Sequence, residues 1–453
     1  MAGPGQIYVP GAGVSSAPQQ FCQSGTNVQR SDQLTASASL LLGTLGSNIG
    51  SRMDFFGQAS SASANYTFES TIAAAAPFQA VQLGYVNYST TTNYTIFGAT
   101  VAPSGNLTDD GTTLSWTPAT FSSGNVNDLP PTYYTTTAGF SVPHGLGPSS
   151  GGAGDNSVPG WAASDWIPVS SIPRTDGGSL PLLQVRTNIS TACVIHNEAG
   201  QANFESQIAP YIWYTNLHSD SGGAYVTNPT ANALAGSASG LWVVPQFVKF
   251  AYTGLTGLNV VAVGDSITRG QTTNTRTTTT PSWANIACQA LSTQSRPITL
   301  TNMGWSGQSK NPSYRNTVWA INNLLPDVIV FWNGSVNDGV SDYVVNRSWN
   351  TTLNLVNYAK SQGVIPVVVT QTPNSSSTAT QDAYRQQMNA NTRSLASAGV
   401  FVLDADFLLS TGGLPSRLQS QYDSGGGIHP NALGYQTIGA AFQGILSAIL
   451  GSR

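Results

Sequence analysis

The alternation of apolar and polar positions changes character near residue 255. Up to that point, short apolar runs are broken by clusters of Gly, Pro, Asn, Ser and Thr, the punctuation of strands and tight turns. Val81-Gln82-Leu83-Gly84-Tyr85 shows one apolar face at period two, and Tyr94-Thr95-Ile96-Phe97 reads the same way. Trp166-Ile167-Pro168-Val169 and Leu180 to Val185 flank a turn signal at Thr175-Asp176-Gly177-Gly178. Short strands with frequent turns predict a β-rich module of sandwich or jelly-roll type over residues 1–255. The Gly/Ser-rich stretches 145–155 and 235–240 read as loops, the second near the domain boundary, and no internal repeat is visible.

From Leu258 the pattern alternates between strand and helix. Apolar runs at 259–263, 298–300, 328–331, 364–369 and 400–403 are interleaved with helical spacing at 283–291, 353–360, 381–398 and 432–450. That alternation predicts a parallel sheet with helices on both faces, an α/β domain over residues 256–453. In such sheets the chemistry gathers beyond the carboxyl ends of the strands.

Composition narrows the function. Charged residues make up 8% of the chain, with a net charge of −4, against roughly 25% charged residues in an average soluble protein. There is no basic footprint to neutralise phosphates, so nucleic acid is excluded as a partner. Ser, Thr, Asn and 47 Gly replace the charge, a surface suited to an extracellular or virion-associated protein. Cys22, Cys193 and Cys288 stand far apart, without a CxxC or Cys/His cluster, so no zinc site or other metal site and no cofactor is expected. Cys288, beside Trp283, Ala284, Ile286 and Ala287, is expected to be a buried thiol. The segment Met1 to Ile7 lacks a basic region followed by an apolar one, so no secretory signal is expected. No stretch reads as long and apolar enough to span a membrane.

Four short blocks fall at strand ends of the α/β half. Gly264-Asp265-Ser266-Ile267-Thr268 follows the first strand. Its glycine permits a sharp turn, and its serine then sits at a helix N-terminus with its N–H available. Asn302-Met303-Gly304-Trp305-Ser306-Gly307-Gln308-Ser309 follows the second strand, and Trp332-Asn333-Gly334-Ser335-Val336-Asn337-Asp338-Gly339 the third. Gly427-Ile428-His429-Pro430-Asn431 precedes the closing helix.

In their order and their places relative to strands, these blocks resemble the SGNH (GDSL-type) serine hydrolase family, over residues 256 to the end. The resemblance implies an ester hydrolase on a flavodoxin-like three-layer α/β fold. It implies Ser266 as nucleophile and His429 as general base, with the Ser266 N–H, the Gly307 N–H and the Asn337 side-chain amide as the oxyanion hole. A serine hydroxyl needs a neutral imidazole to take its proton, and preoriented neutral donors stabilise the oxyanion.

Two positions depart from the family pattern. The third block usually reads Gly-x-Asn-Asp, and Ser335 occupies its first slot. The last block usually reads Asp-x-x-His, and Gly426 stands where the acid belongs. Asp423, six residues before His429, could supply the acid if the loop from Ser424 to Gly427 turns back. A backbone carbonyl is the alternative acceptor, as in a Ser–His dyad.

Asp265 and Asp338 read as loop ties, and His144, His196 and His218 as structural or surface residues. Trp305 and Trp332 flank the predicted site and are open to stacking on a substrate or to core packing. The Asn-x-Ser/Thr sequences at Asn65, Asn87 and Asn93 are expected by chance in so Asn- and Thr-rich a chain. Residues 271–280 read as a loop beside the nucleophile, possible as a lid. The expected activity is removal of acyl groups, acetyl above all, from a polysaccharide or similar ester, with the β-rich module holding glycan or a virion or surface scaffold. The rivals are a catalytically decayed structural or glycan-binding protein and a lipase or thioesterase for longer acyl chains.

Overall fold

Strands buried on both faces read as unbroken apolar runs, and the C-terminal half has such runs at 260–263, 328–332 and 366–369. The structure, a computed structural model, describes residues 49–54, 58–62, 66–87, 94–107, 109–121, 140–142, 160–189, 193–197, 215–221, 245, 247–252, 257–271, 282–304, 307, 310–338 and 342–452. The expected loops at 145–155 and 235–240, and the proposed lid beyond Gln271, lie outside the described residues, as do Cys22, His144, Asn65, Asn93, Trp305 and the segment Met1 to Ile7. Among the described residues the chain forms two compact units. One comprises Val260–Leu291 and the chain from Asn302 onward; the other runs up to Asn259 and includes Ser292–Thr301.

The N-terminal unit is strand-rich and antiparallel. Its strands are β1 (Ile49–Asp54), β2 (Gln58–Ala62), β3 (Tyr66–Ala73), β4 (Phe78–Asn87), β5 (Tyr94–Ser104), β6 (Thr117–Pro118), β7 (Phe140–Val142), β8 (Gly160–Ala163), β9 (Leu182–Ile189), β10 (Cys193–Asn197), β11 (Thr215–Ser221) and β12 (Phe247–Tyr252). The order β1-β12-β4-β8 makes one run of neighbours and β11-β3-β9-β5-β6 another; β10 pairs with β2, and β7 with β5. His196 lies in β10 and His218 in β11.

Two sequence readings change here. Trp166 to Val169 is not a strand: only Ile167 bridges, to Val81, and Pro168 has no N–H to extend a ladder. β9 runs past Val185 to Ile189, because its polar side is buried too. Arg186 is fully buried opposite Glu69 in register, and their side chains pair at 2.5 Å. Asn87 is fully buried in β4, so it presents no surface acceptor.

From Leu258 onward the chain alternates as expected: β13 (Leu258–Gly264), α1 (Ser266–Arg269), α2 (Trp283–Leu291), β14 (Ile298–Gly304), α3 (Lys310–Leu324), β15 (Val328–Trp332), α4 (Asp342–Ser361), β16 (Ile365–Val369), α5 (Ala379–Ser394), β17 (Phe401–Leu403), α6 (Ala405–Leu409) and α7 (Ala432–Gly451). The five strands stand in the order β17-β16-β15-β13-β14, with parallel registers. This is the doubly wound, flavodoxin-like α/β order. β13 connects to β14 on one side, and the chain then crosses to build β15, β16 and β17 on the other. The switch point lies at β13 and β15, where a crevice opens beyond the strand ends.

α2 and α7 cover one region of this unit. The Trp283 ring meets Phe442 edge-on at 5.2 Å and Trp332 at 6.4 Å. Gly439 lets α7 close on α2: a Cβ there would stand 2.8 Å from Ile286 Cγ2. α7 also corrects the reading that no stretch could span a membrane. By length and composition its 20 residues suffice, but Tyr435, Ile438, Phe442, Leu446 and Ile449 bury one face of it, as a core helix does. Cys288 on α2 is a buried thiol.

Candidate active site

The site begins with a turn that only glycine fits. A Cβ on Gly264 would lie 2.1 Å from Thr268 Oγ1 and 2.6 Å from Trp332 Cδ1. The chain therefore leaves β13 sharply and enters α1, a helix of four residues closed by Gly270 at φ 89°. Asp265 caps that helix, its Oδ1 accepting the Ile267 N–H at 2.9 Å. Ser266 follows as the first helical residue and is buried.

His429 arrives from the other end of the sequence. It sits in a hairpin-like loop: the Ser424 N–H donates to the His429 carbonyl at 3.1 Å, and the Asn431 N–H to the Tyr422 carbonyl at 2.7 Å. Asn431 then caps α7, its Oδ1 accepting from the Gly434 N–H at 3.0 Å. The result places His429 Nε2 2.8 Å from Ser266 Oγ. Two residues 163 positions apart thus stand at hydrogen-bond distance beyond the carboxyl end of β13.

Asp423 lies in the same hairpin, bridged to Pro430. Its Oδ1 accepts the Gly425 N–H at 2.9 Å and the Gly427 N–H at 2.8 Å. Gly425 and Gly427 have φ of 101° and 67°, which lets their amides converge on one oxygen. The loop does turn back as the sequence allowed, but the carboxylate is directed onto the loop itself. Among the described residues no hydrogen bond joins Asp423 to His429.

The remaining sequence-derived residues lie after β14 and β15. Gly307 adopts φ 77°, a left-handed conformation natural to glycine. Asn337 is exposed in a turn closed by Asp338, whose Oδ2 accepts the Ser335 N–H at 2.8 Å while its own N–H donates to the Ser335 carbonyl at 3.0 Å. Trp332 is buried core: its indole N–H donates to Thr268 Oγ1 and its ring packs on Trp283.

Sequence reasoning passed over three supports. Asn302 donates to the Thr268 carbonyl at 2.9 Å and to Ser282 Oγ at 3.1 Å, tying the end of β14 to α1 and the entrance of α2. The buried Tyr435 hydroxyl donates to the Gln271 carbonyl at 2.6 Å, holding the exit of α1. Burial, with the Asp265 charge added, pushes its phenol well above the usual range, so it stays a donor. Ser335 donates to Asp265 Oδ2 at 2.6 Å. Burial pushes the Asp265 carboxyl up, opposed by the hydrogen bonds from Ser335 and Ile267. Asn302 and Ser335 did fall inside the blocks; Tyr435, four residues after Asn431, carried only the signal of an apolar helix face. Among the described residues, no group of three or more His, Cys, Asp and Glu gathers as a metal would need.

Residues 262–437 match the model of the GDSL-like lipase/acylhydrolase family. The C-terminal part of the chain is a GDSL-like acylhydrolase domain. Similar solved structures include a putative lipolytic protein of the G-D-S-L family from Desulfitobacterium hafniense, at 20% identity over 42% of this chain and 99% of that one, with a TM-score of 0.33. A GDSL-like lipase from Bacteroides thetaiotaomicron is 18% identical over 42% and 88% of the two chains, with a TM-score of 0.33. A mutant acetyl-xylooligosaccharide esterase from a Geobacillus is 16% identical over 42% and 93%, with a TM-score of 0.30. No curated protein matches the chain.

Proposed function

We propose that this chain is a serine esterase that removes small acyl groups, acetyl above all, from a polysaccharide. The observation that carries the reading is the 2.8 Å approach of His429 Nε2 to Ser266 Oγ at the switch point of the sheet. Ser266 Oγ attacks the ester carbonyl carbon as His429 Nε2 takes its proton. The carbonyl oxygen becomes an oxyanion held by the Ser266 and Gly307 N–H groups and the Asn337 amide. Collapse breaks the bond to the sugar oxygen, which leaves with the proton from His429. Water then repeats the sequence on the acyl-enzyme and releases the acid. Asp423 organises the loop that presents His429, and the site works as a dyad.

The substrate reading is supported by a surface of hydroxyls and amides with 8% charge, and by the strand-rich N-terminal half. We assign residues 1–255 to holding the glycan or a virion or surface scaffold, outside a cell. Turnover of 4-nitrophenyl acetate by the full chain and by Ser266→Ala tests the proposal. The variant should lose at least about a thousandfold, and wild-type rates should fall as the acyl chain lengthens from acetyl. Unchanged turnover in Ser266→Ala would remove the nucleophile. A preference for long chains would make the enzyme a lipase or thioesterase, and no turnover of any ester would leave a decayed glycan-binding protein.

A further inference from the structure

Ser335 stands where the family pattern has glycine, and its hydroxyl is fully engaged. It is buried at 5% exposure, and donates to Asp265 Oδ2 at 2.6 Å. The same oxygen accepts the Asn337 backbone N–H at 3.2 Å and the Asn337 side-chain Nδ2 at 3.0 Å. A hydroxyl has one hydrogen and two lone pairs. With its hydrogen on Asp265, Ser335 Oγ can only accept from Asn337. An amide turned end for end would set its oxygen against those lone pairs, so the nitrogen is selected.

We infer that Ser335 is a positioning residue for the Asn337 amide, acting as a relay from the Asp265 carboxylate to the proposed oxyanion donor. The inference rests on the esterase reading. An amide nitrogen carries two hydrogens in one plane, so anchoring one on Ser335 fixes the direction of the other. The pattern's glycine offers no such anchor. The turn around Ser335 is also closed by Asp338, whose Oδ2 accepts the Ser335 N–H, so the hydroxyl is not the backbone's sole tie and sets the Asn337 side chain as well.

The test uses the full chain and 4-nitrophenyl acetate. Ser335→Ala should lower kcat about tenfold to a hundredfold with KM within about twofold, and Ser335→Thr, which keeps the hydroxyl, should restore most of it. In an Asn337→Ala background Ser335→Ala should cost less than about twofold more, because the group it orients is gone. A merely structural role would instead multiply the two losses, and that outcome overturns the inference, as does a kcat within twofold of wild type. Should Ser335→Ala fail to fold, Ser335→Gly, the pattern's own residue, carries the same measurements. A readout free of catalysis is the Asn337 side-chain amide resonance in the Ser266→Ala chain: it should shift when Ser335 becomes Ala. If that resonance shifts while the wild-type chain turns over no ester, the esterase reading fails and the relay to an oxyanion donor with it, leaving only the Ser335–Asn337 anchor. If Ser266→Ala abolishes turnover but Ser335→Ala changes neither rate nor resonance, the relay alone falls.

Discussion

Asp265 is the residue on which two demands conflict. It caps α1 and orients Ser335, and both tasks use its carboxylate oxygens as acceptors. Yet it is buried, and burial raises its pKa above the ordinary carboxylate value. A carboxyl whose folded pKa is raised binds protons more readily folded than unfolded. Stability is therefore lost, not gained, as pH rises from the ordinary value through the raised one. The ionised form of Asp265, which accepts from Ile267 and Ser335, is the form that costs stability. Asp265→Asn should hold or raise Tm at pH 7 while lowering kcat at least about tenfold. The amide can accept from Ile267, but the group facing Ser335 becomes a donor, which reverses the hydroxyl that Asn337 depends on. A variant with unchanged kcat would show that the relay polarity is immaterial. In the sequence, Ser266, His429 and Asn337 stood out through the order of their blocks. The tie from Asp265 to Ser335 did not, since it joins positions 70 apart and a serine in a glycine slot looks like a tolerated small residue.

At the scale of elements, two short pieces decide the geometry: the turn from β13 into α1, and the hairpin that carries His429. The first was legible because Gly264-Asp265-Ser266 follows a strand of unbroken apolar residues. The second was legible only as alternatives, since three consecutive glycines state freedom and not direction. Asp423 supplies the direction by accepting two amides. Substituting Asp423 by Asn separates the possible roles. An Asn Oδ1 still accepts both N–H groups, so turnover should stay within about threefold of wild type; Asp423→Ala, which frees the glycines, should lose up to about tenfold, or 1.4 kcal/mol of barrier. If Asp423 were the acid of a triad, Asn would hold the wrong tautomer and cost about 10⁴. A loss of that size in the folded Asn variant would restore the triad. Other elements escaped the pattern for plain reasons. α3 is polar along most of its length, so no apolar stripe marks it. β9 looked shorter because Arg186 and Asn188 are polar, although pairing with Glu69 and Thr67 lets both be buried.

For the molecule as a whole, the sequence showed two characters, and the switch near Leu258 is a feature of composition that a linear reading can see. What it cannot see is that Ser292–Thr301 clusters with the N-terminal unit, because an association in space leaves no mark on local pattern. The same composition bears on how a polymer would be held. With a net charge of −4 on 453 residues, long-range attraction is weak, and contacts must come from hydroxyls, amides and aromatic faces. Such contacts are short-ranged and little screened, whereas surface charge pairs weaken as the Debye length shrinks from about 10 Å at 0.1 M salt to about 3 Å at 1 M. Binding of the full chain to an acetylated neutral polysaccharide should therefore change by less than about twofold over that range. The Ser266→Ala chain is the form to use, since it should hold polymer without consuming it; co-sedimentation reads the bound fraction. A binding constant falling tenfold or more with salt would mean that charge does the holding, contrary to the composition. No binding at any salt, by a chain whose wild type turns over 4-nitrophenyl acetate, would turn the N-terminal half from glycan holder to scaffold attachment and leave the esterase assignment standing.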